Sequence, residues 1–296
     1  MSYRSTLSSS SKAFVKRANV ALAWPTSSYR LEPDFLVVGA QRCGTTSLFR
    51  ALEQHPDVVR PSFDKGINYF DINYGRGARW YRAHFPLAAT GWPLARHRRP
   101  RVTFEASGYY IFHPLAPDRI ARDLPNVKIV AMLRDPVERA YSAWKHETAR
   151  GFDHMTFEEA IAQEVLRTAG ERERMVADPS YQSFAYRHHS YAARGHYAAQ
   201  LREFYERLPA SNIHVVFSES FFAQPEHEFA LLAEFLGIDA SAGMSFERHN
   251  ARPSGPMPGG TREVLTNIYA TEADELETLV GRRPPWASIC SDPSRD

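Results

Sequence analysis

The run Phe35-Leu36-Val37-Val38-Gly39-Ala40-Gln41-Arg42-Cys43-Gly44-Thr45-Thr46-Ser47 restricts the fold more than any other part of the chain. Four apolar residues of the buried-strand type lead into Gly-x-x-x-x-Gly, and hydroxyl residues then open a helical pattern that ends near Gln54. A strand that turns tightly into a helix in this way is built to hold a phosphate. The glycines let the backbone turn, several N–H groups face inward, and the helix N-terminus adds partial positive charge. Nucleotide triphosphatases place Lys directly after the second Gly. Here that position is Thr45, and the cation of the loop is Arg42, which argues against ATP or GTP hydrolysis.

A second segment has matching logic. Val127 to Leu133 is the strongest strand in the chain, and it runs into Arg134-Asp135-Pro136-Val137-Glu138-Arg139-Ala140-Tyr141-Ser142. Arg134 stands at the carboxyl end of that strand, where open α/β sheets bind ligands. Pro136 opens a helix at a position where its missing N–H is harmless. Ser142 lies about two turns further on, so an Arg and a hydroxyl can converge on a second phosphate. Asp135 and Glu138 read as a helix cap or as partners for Arg139. Further strands are expected at Val102-Thr103-Phe104 and Ile213 to Phe217, with a helix from Glu226 to Leu236 stopped by Gly237. Strands separated by helices imply an α/β fold with a mostly parallel sheet covered on both faces.

Composition enters mainly as exclusion. At 296 residues, with 43% hydrophobic and 24% charged residues, the chain has enough material for one full core. A net charge of +2 gives no case for a nucleic acid or membrane partner. Of the 36 basic residues only Lys12, Lys16, Lys65, Lys128 and Lys145 are lysines; guanidinium suits anionic ligands, but a GC-rich genome explains the bias as well. Two cysteines, Cys43 and Cys290, form neither a disulfide framework nor a metal spacing, so a cytoplasmic setting is expected and no metal is assigned. No run approaches the length of a transmembrane segment. Residues 1–30 read as a loosely ordered arm, 31–286 as the single domain, and 287–296 as a tail.

Together, GAQRCGTTSL and LRDPVERAYSAW resemble the 5′-phosphosulfate loop and the 3′-phosphate motif of sulfotransferases that use PAPS, 3′-phosphoadenosine-5′-phosphosulfate. The likeness is to the carbohydrate branch that includes the heparan sulfate sulfotransferases, and it runs from about Asp34 to Trp286. Supporting matches are Tyr69-Phe70-Asp71, Gly77 to Arg82 with Phe85-Pro86, Arg194-Gly195-His196-Tyr197, Asn250-Ala251-Arg252, and Met257-Pro258 with Thr261-Arg262. The resemblance implies a P-loop kinase-like three-layer fold around a five-stranded sheet, PAPS as donor with PAP as product, and no divalent metal. It implies that Arg42 neutralises the bridging oxygen as the sulfuryl group departs. Cys43, Gly44, Thr45, Thr46 and Ser47 would hold the 5′-phosphate, Arg134 and Ser142 the 3′-phosphate, and Arg262 would belong to a late donor-site loop.

Two positions depart from the family pattern. Gly66 stands where the carbohydrate branch carries a catalytic Glu, and Ala106 where it carries a Lys after Glu105. An acceptor hydroxyl still needs a base; Glu105 and Asp64 are the leading candidates, with His55 and His146 behind them, and Lys65 can replace the missing Lys charge. Tyr69, Trp80, Tyr81, Tyr109 and Tyr110 are either a stacking platform for sugar rings or core residues. The implied activity is sulfuryl transfer to a hydroxyl or amine of a carbohydrate, glycolipid or other metabolite. A PAPS- or PAP-binding protein without turnover and a P-loop nucleotide kinase stand as alternatives. Nothing in the sequence reads out an oligomeric state.

Overall fold

Five parallel strands form one sheet: β1 (Phe35–Gly39), β2 (Val58–Val59), β3 (Val102–Ala106), β4 (Lys128–Leu133) and β5 (Ile213–Phe217), in the spatial order β2-β3-β1-β4-β5. The structure, a computed structural model, describes residues 18–61, 65–91, 101–241, 246 and 257–288. β1 and β4 lie in the middle of the sheet with both faces covered, which is why Leu36, Val37, Val38 and Ile129 to Leu133 form unbroken apolar runs and are fully buried. Each such side chain stabilises the fold by about 1.5–3 kcal/mol relative to exposure. Phe35 pairs with Phe104 across the β1–β3 ladder, and their rings stack at 5.0 Å. The two-residue β2 carries too little pattern to be read from sequence.

The helices that matter for function are α1 (Thr45–Gln54), α2 (Ala78–Arg82), α3 (Ala116–Asp123), α4 (Pro136–Ala149), α5 (Tyr197–Tyr205) and α6 (Gly259–Ile268). α1 follows β1 directly and turns Leu48, Phe49, Ala51 and Leu52 into the core. α4 follows β4; Asp135 caps it, accepting from the backbone N–H of Val137 at 2.9 Å and of Glu138 at 3.4 Å. β1 is flanked by β3 on one side and β4 on the other, so the loops after β1 and β4 open together at the carboxyl edge of the sheet, the place such folds reserve for ligands.

Where the sequence suggested a loose arm up to residue 30, residues 18–23 form a helix and Trp24–Tyr29 a 3-10 helix. Val20 and Ala23 bury against Trp80 and Ala83, and Arg30 pairs with Leu87 in an isolated antiparallel bridge. Among the described residues, no helix is long and apolar enough to cross a membrane.

Candidate functional site

The loop between β1 and α1 depends on two glycines for different reasons. A Cβ on Gly39 would lie 2.5 Å from Ile111 Cγ2, so the strand can leave the sheet only as glycine. Gly44 has φ 91° and caps α1 in the left-handed region. Arg42, between them, is also left-handed at φ 73°. For a residue with a Cβ this conformation costs about 1–2 kcal/mol, and such strain collects at functional sites. Its Nε donates to Ser142 Oγ at 3.1 Å. The two segments singled out from the sequence, 100 residues apart, therefore touch.

Behind the loop lies a cavity of about 360 Å³ lined by Gln41, Arg42, Thr45, Thr46, Lys65, Gly66, Asn68, Ala106, Ser107, Gly108 and His146. Lys65 Nζ donates to Thr45 Oγ1 at 2.8 Å and to Thr46 Oγ1 at 3.0 Å. Burial, with Arg50 adding repulsion, pulls the Lys65 ammonium down to about 8. An ammonium held this way can neutralise a bound anion and regain its full charge in doing so. Ser47 is buried one turn into α1 and does not line the cavity. Cys43 contributes backbone alone: its thiol is buried 3.7 Å from the Tyr197 hydroxyl, and burial pushes it up to about 11.

Three more cations and one acid frame the rim. Glu138 accepts from Arg262 Nη2 at 2.5 Å and lies 3.7 Å from Arg134 Nη2, so it links β4 to α6. Glu138 thus pairs with these two arginines and not with Arg139, which is buried in the core and donates to the Tyr191 carbonyl. Lys145 sits over the Tyr141 ring at 3.9 Å. Its ammonium is lowered by burial and by the nearby charges of Arg134 and Arg42, although Glu138 opposes the shift. Arg42, Lys65, Arg134, Lys145 and Arg262 are thereby gathered at one edge.

Of the two acids expected as bases, Glu105 lies away from the cavity. Glu105 is fully buried and does not line the cavity. Its Oε1 accepts from the Ile67 N–H at 3.0 Å, the Asn68 N–H at 3.1 Å, the Ser107 hydroxyl at 2.5 Å and the Tyr110 hydroxyl at 2.7 Å, and Oε2 accepts from the Tyr81 hydroxyl at 2.7 Å. Burial raises its carboxyl even though these donors oppose the shift. This is the geometry of a knot that fixes the wall 67–68, and the strand register turns the side chain inward. Asp64 lies outside the described residues, as does the Asn250-Ala251-Arg252 match. His55 spends both ring nitrogens on backbone, with Asp57 N–H at 3.1 Å and the Asp239 carbonyl at 2.7 Å. His146 does line the cavity. Tyr69, Tyr81, Tyr109 and Tyr110 are core residues, with Trp80 packed against the same cluster.

Sequence reasoning missed one support of the loop. The Gln41 amide oxygen accepts from Arg194, a fully buried guanidinium lowered to about 10 by desolvation, and the Gln41 amide nitrogen reaches Glu147 Oε1 at 3.5 Å. Glu147 is bound in turn by His188 Nδ1 at 2.9 Å. Burial raises its carboxyl, but His188 and Arg150 more than offset this and hold it below the usual range. The only trace in the sequence is the Arg194-Gly195-His196-Tyr197 match, which carries no hint of a partner.

The family model described as "Sulfotransferase domain" matches residues 32–252. The chain is 24% identical to the membrane-associated sulfotransferase kil1 of Dictyostelium discoideum over 86% of its own length and 66% of that protein. It is 27% identical to heparan sulfate glucosamine 3-O-sulfotransferase 3B1 of Homo sapiens, over 70% of its length and 46% of the relative. It is 29% identical to bifunctional heparan sulfate N-deacetylase/N-sulfotransferase 2 of Bos taurus, over 70% of its length and 22% of the relative. The chain thus spans at most 66% of the length of these curated relatives. Among solved structures, a sulfotransferase from Alicyclobacillus acidocaldarius superposes with a TM-score of 0.68 at 29% identity, covering 88% of this chain and 100% of that one.

Proposed function

Because the chain belongs to the sulfotransferase family, we propose that it transfers a sulfuryl group from PAPS to a hydroxyl or amine of a carbohydrate or glycolipid acceptor. The observation that carries this reading is the 3.1 Å contact between Arg42 Nε and Ser142 Oγ. One phosphate-holding loop is generic, whereas two anchors that touch fit a donor with a 5′-phosphosulfate and a 3′-phosphate on one ribose. The donor supplies an activated sulfuryl group on a phosphate leaving group.

The residues divide by position. The N–H groups of Cys43, Gly44, Thr45 and Thr46 and the two threonine hydroxyls cradle the 5′-phosphate at the opening of α1. Arg42 and Lys65 neutralise the oxygen on which charge develops as the S–O bond breaks, in a site partly closed to water. Arg134 and Ser142 hold the 3′-phosphate, and Arg262, tied to Arg134 through Glu138, completes that side. Positioning and charge neutralisation dominate phosphoryl transfer, and sulfuryl transfer calls for the same contributions. The proton of the acceptor goes to His146, which lines the cavity. Glu105 is a positioning residue in this scheme, because its oxygens are engaged by five donors. Ser47 supports the helix from within. A cytoplasmic setting fits the reduced, buried Cys43.

The heparan sulfate acceptors in the names of similar proteins, and an Arg-rich surface, support a carbohydrate acceptor. The test uses PAPS carrying labelled sulfur with glycosaminoglycan, glycolipid and small hydroxylated acceptors. Label should move to at least one carbohydrate, and Arg42→Ala should abolish transfer. Tight binding of magnesium-ATP without binding of PAP would contradict the proposal, as would full-rate transfer by Arg42→Ala.

A further inference from the structure

The corner formed by helix 18–23, the 3-10 helix Trp24–Tyr29, α2 and residue 87 has properties the sulfuryl-transfer scheme does not use. Four large apolar or aromatic side chains there face solvent: Leu22 at 77%, Tyr29 at 72%, Leu87 at 43% and Trp24 at 39%. They belong to one packed unit. Trp80 of α2 holds Val20 and Ala23 from below, Arg79 Nε donates to Ser27 Oγ at 3.3 Å, and Arg30 bridges to Leu87. Two exposed arginines stand among these rings, with Arg79 over Trp24 at 5.8 Å and Arg76 over Trp80 at 5.1 Å.

Charge is distributed just as unevenly. The first 31 residues contain Arg4, Lys12, Lys16, Arg17 and Arg30 and no acid at all. The first acid, Glu32, is paired with Arg82. From Lys65 to Arg101 the sequence has a single acid, Asp71, and it is buried. Among the described residues, 18–32 and 74–91 carry Arg30, Arg76, Arg79 and Arg82 against the single acid Glu32, so this corner is basic.

We propose that this corner docks the protein peripherally on an anionic lipid bilayer. Leu22 and Leu87 enter the acyl boundary, Trp24 and Tyr29 sit at headgroup depth, and Arg76 and Arg79 meet the lipid phosphates. Apolar burial together with cationic attraction is the combination that gives stable interfacial binding, and either contribution alone is weak. A nucleic acid or an anionic glycan would satisfy the arginines but offers no apolar partner to Leu22 and Leu87. The corner also connects to the cavity: Tyr81 of α2 donates to Glu105, which holds the Ile67 and Asn68 N–H groups at the cavity wall.

The experiment is flotation of the full chain with phosphatidylcholine vesicles, with and without about a third phosphatidylglycerol, at low and high salt. Binding is expected on the anionic vesicles alone and should weaken as salt rises. The double variant Leu22→Asp, Tyr29→Asp should bind at least about tenfold more weakly, since it loses apolar contact and gains repulsion. Both side chains are exposed, so its thermal melt and its affinity for PAP should match the parent chain, which separates lost docking from lost folding. Equal binding to neutral and anionic vesicles, no binding to either, or unchanged binding by the double variant would overturn the proposal. Tighter binding to heparin or an oligonucleotide, unaffected by the double variant, would do the same.

Discussion

Lys65 gives the donor site a pH dependence whose sign and size follow from its surroundings. Burial lowers its ammonium to about 8, and its contacts include the neutral hydroxyls of Thr45 and Thr46. A phosphate anion beside it restores the preference for the charged form, so binding takes up a proton whenever Lys65 starts neutral. If the bound-state value lies above the range tested, the apparent Kd rises as one plus ten to the power of (pH minus 8). Between pH 7 and pH 9 that is about a tenfold loss of affinity, or roughly 1.4 kcal/mol. The phosphates of PAP, with second ionisations near 6, do not contribute in this window. Titration calorimetry of PAP in buffers of different ionisation enthalpy reads both the affinity and the proton uptake. Lys65→Arg should bind PAP with no slope over this range, and Lys65→Met should bind weakly and equally without slope. A flat wild-type profile from pH 7 to 9.5, or the same slope in Lys65→Arg, would refute the reasoning. The free protein should show the opposite trend. A lysine depressed in the folded state makes the unfolded chain bind more protons, so this group's contribution to stability grows as pH rises through 8 and is lost as pH falls through it.

Three further outcomes test other parts of the site. Gly44→Ala places a Cβ in the left-handed region at 3.0 Å from Phe222 Cε2 and 3.1 Å from Met132 Cε, and should cost about 1–2 kcal/mol in a chemical melt and weaken PAP binding. Glu105→Ala leaves two backbone N–H groups and three hydroxyls without their acceptor and should destabilise by about 4 kcal/mol or more; Glu105→Gln should lower the melting temperature in the same direction, and a Gln variant of native stability with vanished turnover would make Glu105 the base instead. Gly66→Glu meets only ordinary contacts, with Ala106 O and Ser107 Oγ at 3.4 Å from the new Cβ, so it should fold normally and, combined with His146→Ala, recover part of the turnover that His146→Ala loses by about a hundredfold or more.

The framework of the proposed donor site was legible because local backbone chemistry dictates it. An apolar run that ends in Gly39, a left-handed Gly44 and hydroxyls at a helix opening announce themselves within thirteen residues, and so does a strand that ends in Arg134 with Pro136 behind it. The contact between Arg42 and Ser142 follows once two adjacent strands are parallel. What escaped depends on long-range packing. Glu105 stands at the end of a strand, and only the register together with Tyr81 and Tyr110 decides that its carboxylate turns into the core. Lys65 reaches Thr45 and Thr46 because β2 and β3 set the height of its loop, which no local pattern encodes. Arg194 and Gln41 lie 153 positions apart. The N-terminal helix was hidden because Val20 and Ala23 are too few to form a visible stripe, and its order comes from Trp80.

The proposed function requires that the loop at Gly39 to Thr46 and the Arg134–Ser142 anchor form one site for a nucleotide phosphorylated at both 5′ and 3′ positions. Calorimetric titration with PAP and with 5′-AMP, in the parent chain and in Arg134→Ala, tests it directly. One PAP per chain is expected, bound about a hundredfold or more tighter than 5′-AMP, since charge-assisted bonds to the 3′-phosphate each contribute about 1.5–3 kcal/mol; Arg134→Ala should erase most of that difference. Equal affinity for the two nucleotides, or a preference for PAP that survives loss of Arg134, would contradict it.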